Sequence, residues 1–363
     1  NTLYVLPSML NKYSVRQRLQ QNLELFFQIL LFFCLMKFLI IRFSSIGDIV
    51  LASPVLRCVK KQLPNATIHF LTKQSFKMVT QHNPYIDKFY YLEDNLNELI
   101  ELFKKEEYDY VIDLHNNFRS NKIKRALKKE TFTINKLSVQ KFLLTKLKID
   151  VMPNRHITQR SIDTVAPLGI RDDGYGLDYF IPTIDEVSQD HLPTSHVLGF
   201  IVVVIGASYY TKKLPVYKLK ELCSKINYPI ILLGGPEDKA NGDVIAATDD
   251  IKIYNSCGKF NLNESADLVR RSKLIITHDT GLMHIAAALK KPIVSIWGNT
   301  VPDFGMTAYY GNNTITDTRF EVTGLSCRPC SKIGYKQCPK KHFKCMLEQD
   351  FEGIVERVSF WLV

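Results

Sequence analysis

The sequence predicts an α/β protein built from two doubly wound domains in tandem. Three observations favour this class. Short apolar runs alternate with helical patterns from Met36 onward, the alternation fades between about 172 and 195, and it then restarts. At 363 residues the chain is long enough for two domains with full cores. Each domain should therefore hold a parallel sheet covered by helices on both faces.

The first domain should contain four strand and helix pairs. The apolar runs "KFLIIRF", "TIHFL", "DKFYYL" and "DYVIDL" are typical of buried strands. Helical patterns follow them over 49–61, in a short stretch after the second run, over 96–104 and over 118–128.

The second domain repeats the alternation. It begins with the fully apolar run "HVLGFIVVVIG", followed by a helical pattern over 216–225 and the run "PIILLGG". A helix over 262–271, a strand over 273–277, a helix over 282–289 and the strand "PIVSIW" come next.

The segment before Met36 is set apart from both domains. Its apolar run over 25–36 is shorter than the roughly 20 residues that cross a bilayer. A signal peptide is a weaker interpretation, because no small-residue cleavage site follows. We expect 1–35 to be a translated leader or an interfacial helix, 36–190 to form the first domain and 191–363 the second, with a cysteine-rich tail and a terminal helix.

The charge and the cysteines narrow the range of partners. A net charge of +11 favours an anionic partner, which could be nucleic acid, a membrane surface or a phosphorylated substrate. Four of the eight cysteines cluster as C-x2-C-x7-C-x6-C, namely Cys327, Cys330, Cys338 and Cys345. Such a set can hold a structural zinc ion, while free thiols or an oxidisable pair are the alternatives.

Doubly wound sheets bind ligands beyond the carboxyl ends of their strands, so the strand-to-helix turns are candidate sites. The first turn, "RFSSIGDIV", places Asp48 at a helix start. Asp48 could therefore be an acid that caps this helix, or a general base that faces the cleft. Because the turn has no GxGxxG, a dinucleotide fingerprint is not supported.

Three turns of the second domain suit a nucleotide. In "GASYYTKKLP", Lys212 and Lys213 could neutralise phosphate, although paired lysines are commonly a solvated surface. In "LLGGPED", Glu237 could contact a ribose or a base. The stretch "HDTGLMH" starts a helix whose amides and dipole favour a diphosphate. The candidate contacts in that stretch are Asp279, Thr280, Gly281, Leu282 and His284.

Five stretches together resemble one family. In order they are "MKFLIIRFSSIGDIVLASPVLRCVKKQLP", "DLHNNFRS", "GASYYTKKLP", "LLGGPED" and "HDTGLMHIAAALKKPIVSIWGNTVP". They are similar to the ADP-heptose:lipopolysaccharide heptosyltransferases, glycosyltransferase family 9. The resemblance implies GT-B architecture, in which two Rossmann-like domains face a cleft, the first binding the acceptor and the second the nucleotide sugar.

The resemblance also implies roles. Asp48 would be the catalytic base, and Lys212 would contact the donor phosphates. The remaining nucleotide-sugar contacts would be Ser45, Gly47, Lys213, Glu237, Asp279, Thr280, Gly281, Leu282 and His284. Asn117 and Arg119 would contact the acceptor. The implied transfer is inverting and needs no cofactor for catalysis, so a zinc ion held by the cysteines would be structural.

The implied partners are an ADP-sugar donor and a phosphorylated or acidic lipid-linked saccharide, with no nucleic acid. The enzyme would work in the cytoplasm at the inner face of the cytoplasmic membrane, as a peripheral protein. Two other functions stay open at this point. One is a nucleotide-sugar 2-epimerase of the same architecture, and the other is a zinc-bearing basic protein that binds nucleic acid.

Overall fold

The computed structural model describes residues 35–362. The leader or interfacial helix expected over 1–35 therefore lies outside the described residues, apart from Leu35 itself. Two parallel sheets with intervening helices make up the described chain, which confirms the predicted α/β class and its GT-B arrangement. No helix among residues 35–362 has both the length and the apolar character needed to cross a membrane.

The first sheet has five parallel strands in the order β3-β2-β1-β4-β5. The strands are β1 (Lys37–Ile41), β2 (Thr67–Lys73), β3 (Lys88–Leu92), β4 (Tyr110–Asp113) and β5 (Glu130–Thr133). The helices are α1 (Ile46–Leu51), α2 (Ser53–Gln62), α3 (Lys77–Thr80), α4 (Leu96–Lys105), α5 (Phe118–Leu127), α6 (Ser138–Phe142) and α7 (Ile157–Asp163). A π-helical turn (Leu143–Leu147) continues α6.

Both faces of this sheet are buried. Phe38 and Ile40 of β1 belong to the large core that α1 and α2 cover, whereas Leu39 and Ile41 pack with residues of α4 on the other face. Alternate residues of one strand thus enter separate cores, and that explains why β1 is continuously apolar.

The single helix expected over 49–61 is two helices in the structure. Pro54 lies in the first turn of α2 and has no amide hydrogen to donate to Val50. The Ser53 hydroxyl instead donates to the Val50 carbonyl at 2.7 Å. The apolar spacing runs through the break without interruption, so only the proline marked it.

The second sheet has six parallel strands in the order β11-β10-β9-β6-β7-β8. The strands are β6 (Ile201–Val204), β7 (Ile230–Leu233), β8 (Ile253–Asn255), β9 (Ile275–His278), β10 (Ile293–Trp297) and β11 (Asp317–Glu321). The helices are α8 (Val216–Lys225), α9 (Lys239–Ala246), α10 (Leu262–Arg271), α11 (Gly281–Ala288), α12 (Lys344–Leu347) and α13 (Phe351–Leu362).

The chain between the two sheets holds only short helical turns over its predicted linker region. These are Thr183–Asp185, Gln189–His191 and Thr194–His196. The last of these turns includes His196, the first residue of "HVLGFIVVVIG". The strand formed by that run is therefore shorter than expected and comprises only β6 (Ile201–Val204). Gly199, at φ +147°, separates the turn from the strand.

Candidate functional site

The strand-to-helix turns of both sheets open onto one cleft of about 860 Å³. Most of the residues predicted from the sequence line it, namely Ser45, Gly47, Asp48, Lys212, Glu237, Asp279, Thr280, Gly281, Leu282 and His284. Lys213, Asn117 and Arg119 do not line this cavity. The structure therefore brings the candidate base from the first sheet together with the candidate donor residues from the second.

Asp48 lies in the first turn of α1, held from two sides. One carboxylate oxygen accepts hydrogen bonds from the Ser45 amide at 3.1 Å and the Ser45 hydroxyl at 2.9 Å. The other lies 2.5 Å from Nη2 of Arg42. Burial alone would raise the pKa of Asp48, but the Arg42 charge and the Ser45 bonds outweigh it and lower that pKa. Asp48 is thus an ionised carboxylate at the cleft edge.

Helices α1 and α11 meet where their N-termini face the cleft. A Cβ added at Gly47 would lie 2.5 Å from Cδ2 of His284, and one added at Gly281 would lie 2.8 Å from Cγ2 of Ile46. Both positions are glycine because no side chain fits between the two helices. The contact joins the two halves of the molecule beside Asp48.

The two histidines of the "HDTGLMH" stretch have different surroundings. His278 Nε2 accepts a 3.0 Å hydrogen bond from the Leu214 amide, so this ring ties the turn after β6 to β9. His284 is buried, and its Nδ1 has no hydrogen-bond partner among the described residues. Burial lowers the pKa of His284 to about 4, so the ring is neutral near pH 7.

The two candidate phosphate lysines are placed differently. Lys212 Nζ lies 2.6 Å from an Asp279 carboxylate oxygen, which also accepts a 2.9 Å hydrogen bond from Thr300. Lys213 Nζ lies 3.0 Å from the buried Asp238, away from the cavity lining. The ammonium of Lys212 therefore stands beside the α11 N-terminus, whereas Lys213 braces the turn after β7.

The turn after β7 presents Glu237 to the cleft, as predicted. Its neighbour Asp238 is 3% exposed and accepts a 3.2 Å hydrogen bond from the Gly235 amide. A Cβ at Gly206 would lie 2.4 Å from Asp238. Asp238 thus packs the turns after β6 and β7 against each other and leaves Glu237 free to face a ligand.

The "DLHNNFRS" stretch is held largely by its own backbone contacts. Buried Asp113 accepts hydrogen bonds from the amides of His115 and Asn116, at 2.9 and 2.6 Å. The Asn117 side chain caps α5 by accepting from the Ser120 amide at 3.0 Å. Arg119, the second residue of α5, is exposed. The proposed acceptor contacts at Asn117 and Arg119 remain predictions, outside the cleft cavity.

Four basic residues line the cleft without having been predicted individually as site residues, namely Arg42, His115, Lys136 and Lys332. Arg42 directly follows β1, and a charged residue at the end of an apolar strand was the available signal. The other three come from separate turns and from the cysteine-rich tail, and no local pattern connects them.

The four clustered cysteines line one small cavity together with His342. Cys327 Sγ lies 3.6 Å from His342 Nε2, and all four thiols are free. Across residues 35–362, three potential ligand atoms converge within 4.8 Å only at Cys58, Asp172 and Asp173, where Arg57 already pairs with Asp173. The donor set of thiols and imidazole suits zinc, but its atoms are not gathered, and the zinc site remains a prediction.

Known proteins resemble this chain over most of its length. The lipopolysaccharide heptosyltransferase 1 of Campylobacter coli is 27% identical over 318 residues, which cover 79% of this chain and 91% of the relative. A glycosyl transferase family 9 structure from Veillonella parvula matches with a TM-score of 0.71 at 20% identity, covering 90% of this chain and 97% of the other. E. coli heptosyltransferase WaaC with ADP matches with a TM-score of 0.63 at 18% identity, covering 90% and 100%.

A family model described as glycosyltransferase family 9 (heptosyltransferase) matches residues 97–340, which is well over half of the chain. This match includes the turns that carry Lys212, Glu237 and the α11 N-terminus, and it agrees with the two-sheet fold. The chain therefore belongs to glycosyltransferase family 9, the heptosyltransferase family.

Proposed function

We propose that this protein transfers a heptose from ADP-heptose to a lipopolysaccharide core acceptor, with inversion at the anomeric carbon. The observation that carries the proposal is the meeting of Asp48 from the first sheet with Lys212 and the α11 N-terminus from the second in one cleft. The names of the matched relatives supply the sugar and the acceptor class. Membership in a glycosyltransferase family favours transfer over the epimerase and the nucleic-acid-binding alternatives.

Asp48 is proposed as the general base. Arg42 and Ser45 keep its carboxylate ionised and fixed in direction, as a proton acceptor requires. As the acceptor oxygen bonds to the anomeric carbon, Asp48 takes the hydroxyl proton. The bond from that carbon to the diphosphate oxygen breaks in the same step, on the opposite face of the sugar.

The departing ADP gains negative charge that the second half would stabilise. The ammonium of Lys212 lies at the cleft wall, and the N-terminus of α11, the positive end of its helix dipole, lines the same cleft. Glu237 is proposed to hold the nucleoside, and His284, Asp279 and Thr280 to frame the diphosphate. Ser45 and Gly47 line the same wall from the first half, while Lys213 would act indirectly through Asp238.

The acceptor is proposed to be a phosphorylated or acidic saccharide carried on lipid, with the enzyme bound peripherally at the cytoplasmic side of the membrane. Large apolar side chains of the first half are exposed along 139–151, namely Val139, Phe142, Leu147, Ile149 and Val151. Exposed Lys146 lies among them and would favour anionic lipid. If Phe142→Asp co-sediments with anionic vesicles as well as the parent does, this surface is not the contact.

A structural metal is proposed for the cysteine-rich tail, outside the reaction itself. Cys327, Cys330, Cys338 and Cys345 would supply thiolates to a zinc ion, which would lock the tail in place when bound. The transfer itself is proposed to need no catalytic cofactor.

The decisive experiment incubates the full chain with ADP-heptose, with and without a lipid-linked core acceptor, and follows both substrates by mass spectrometry. A gain of one heptose by the acceptor supports the proposal. Isomerised donor without an acceptor would favour the epimerase instead, and indifference to the sugar would overturn both enzyme assignments.

A further inference from the structure

The side of the cleft around Asp48 carries more positive charge than its carboxylates neutralise. Asp279 pairs with Lys212 on the donor side, and Asp48 pairs with Arg42 at the centre. Lys136 and Lys332 also line the cavity, and within residues 35–362 no carboxylate oxygen lies within ion-pair distance of either ammonium. Two cations at a ligand cleft are thus left without a protein counter-charge.

A third lysine lies behind them. Lys141 Nζ is 5.9 Å from the centre of the Phe304 ring, and Phe304 lines the cleft. Lys141 also has no carboxylate partner in the part of the chain that the structure describes. Burial, together with the charges of Arg160, Lys332 and Arg42, lowers the pKa of Lys141 to about 8, and Asp48 opposes that shift. We call Lys136, Lys141 and Lys332 the lysine cluster.

The cysteine-rich tail carries Lys332 across to the first half. Lys332 Nζ donates to the Ser138 carbonyl at 3.4 Å. In the sequence, Ser138 lies between Lys136 and Lys141. On the same side, Lys148 Nζ donates to the carbonyls of Cys327 at 3.2 Å and Pro329 at 2.6 Å. The tail is therefore fastened to the first half by two lysines, and one of them faces the cleft.

Lys136 and Lys141 are partly buried, whereas Lys332 is exposed at the mouth of the cleft. Neighbouring cations repel one another, and a bound anion relieves that repulsion. We propose that the lysine cluster binds the anionic group of the acceptor, a carboxylate or a phosphate, and holds it beside Asp48. The proposal rests on the proposed transfer reaction and deepens it. It makes the cysteine-rich tail of the second half part of the acceptor site, through Lys332.

The test compares Lys136→Ala and Lys332→Ala with Lys336→Ala. Lys336 is an exposed lysine of the same tail that does not line the cleft, so it is the matched control. Each cluster variant should raise the acceptor KM about tenfold, which is the loss of one charge-assisted hydrogen bond, and leave ADP affinity unchanged. Lys332→Arg should recover most of the lost affinity, because it keeps the charge.

Calorimetry with two soluble, lipid-free core saccharides separates this proposal from the transfer reaction. One saccharide keeps its carboxylate and lacks phosphate, and the other keeps phosphate with its carboxylate esterified. The saccharide whose binding Lys332→Ala weakens contains the recognised group.

Three results would overturn the proposal. They are unchanged binding of both saccharides, an equal loss in Lys336→Ala, or a matching loss of ADP affinity. If the parent binds an acidic saccharide through these lysines and yet transfers no heptose, the proposed reaction fails while the site stands.

Discussion

Arg42 and Asp48 form an ion pair where β1 ends at the cleft, with 2.5 Å between Nη2 and Oδ1. The other terminal nitrogen of Arg42, Nη1, donates to the Leu114 carbonyl just beyond β4. The guanidinium therefore ties the proposed base to two neighbouring strand ends. Burial raises the pKa of Asp48, and the Arg42 charge contributes to the larger opposing effect that lowers it.

Arg42→Met should move the acid limb of the pH profile of kcat/KM upward. The Arg42 charge lowers the pKa of Asp48, so its loss raises that pKa, and activity that needs the carboxylate then disappears at a higher pH. A displacement of about one pH unit is expected for a nearby opposite charge. Arg42→Lys should show a smaller displacement, because it keeps the positive charge. If the profiles of Arg42→Met and the parent coincide, the Arg42 charge does not set the pKa of the catalytic base.

Asp48→Ala should abolish transfer while the donor still binds. A positioned general base contributes about 10²–10⁴ to the rate, and most of the proposed donor contacts, including Lys212 and Glu237, lie in the other half of the molecule. The measurement pairs single-turnover transfer with ADP calorimetry, and Asp48→Asn controls for the space the side chain fills. Retention of more than about a tenth of the parent rate would remove Asp48 as the base.

Gly281→Ala should destabilise the protein and weaken ADP binding together. The new Cβ would lie 2.8 and 2.9 Å from two Ile46 carbons, and forced overpacking costs about 1–3 kcal/mol of unfolding free energy. Gly353→Ala in α13 is the control, since its added Cβ would first meet a terminal oxygen of the Asp350 side chain, outside the contact between α1 and α11. Denaturant unfolding and calorimetry measure both effects, and equal stability of the two variants would refute the close helix contact.

Affinity for an acidic acceptor should fall as pH rises through about 8, because Lys141 loses its charge there. His115 and His284, with pKa values lowered by burial to about 4, are already neutral throughout that range. The acceptor KM measured from pH 7 to 9.5 checks this. Lys141→Met should flatten the profile, and an unchanged slope in that variant would assign the titration to another group.

Purified protein is expected to contain about one zinc ion per chain, bound by the cysteine cluster. Cys330→Ser should lower both the metal content and Tm, because a bound structural metal stabilises only the folded state. Elemental analysis and thermal unfolding measure these quantities. If the purified parent contains no metal, and Cys330→Ser has the same Tm and the same activity as the parent, the four cysteines are free thiols.

Much of the fold followed from local sequence pattern. Central strands such as β1 and β6 are continuous apolar runs, and helices such as α8 and α10 have clear periodicity and end near polar or proline residues. The break before α2 was missed because apolar spacing continues across it. The edge strands β5, β8 and β11 were also missed. The partly exposed sequences of β5 and β11, "ETFT" and "DTRFE", lack the apolar signal, and β8 has only three residues.

The candidate site could also be predicted only in part from the sequence. Asp48 and the α11 N-terminus were predictable because each lies at a strand-to-helix turn with distinctive residues. Lys136 and Lys332 were not, because the first follows an edge strand and the second belongs to an irregular tail. Only tertiary packing brings them to one wall, and a lysine in a loop gives no sign of that on its own.

The fit of Gly47 against His284, and of Gly281 against Ile46, has a consequence for exchanging parts between members of the family. A hybrid that joins the first sheet of one enzyme to the second sheet of another inherits the two sides of this fit from different parents. Any bulkier residue at either glycine would push the helices apart and move the base away from the donor. Hybrids of donor and acceptor specificity should therefore be chosen by matching these four positions.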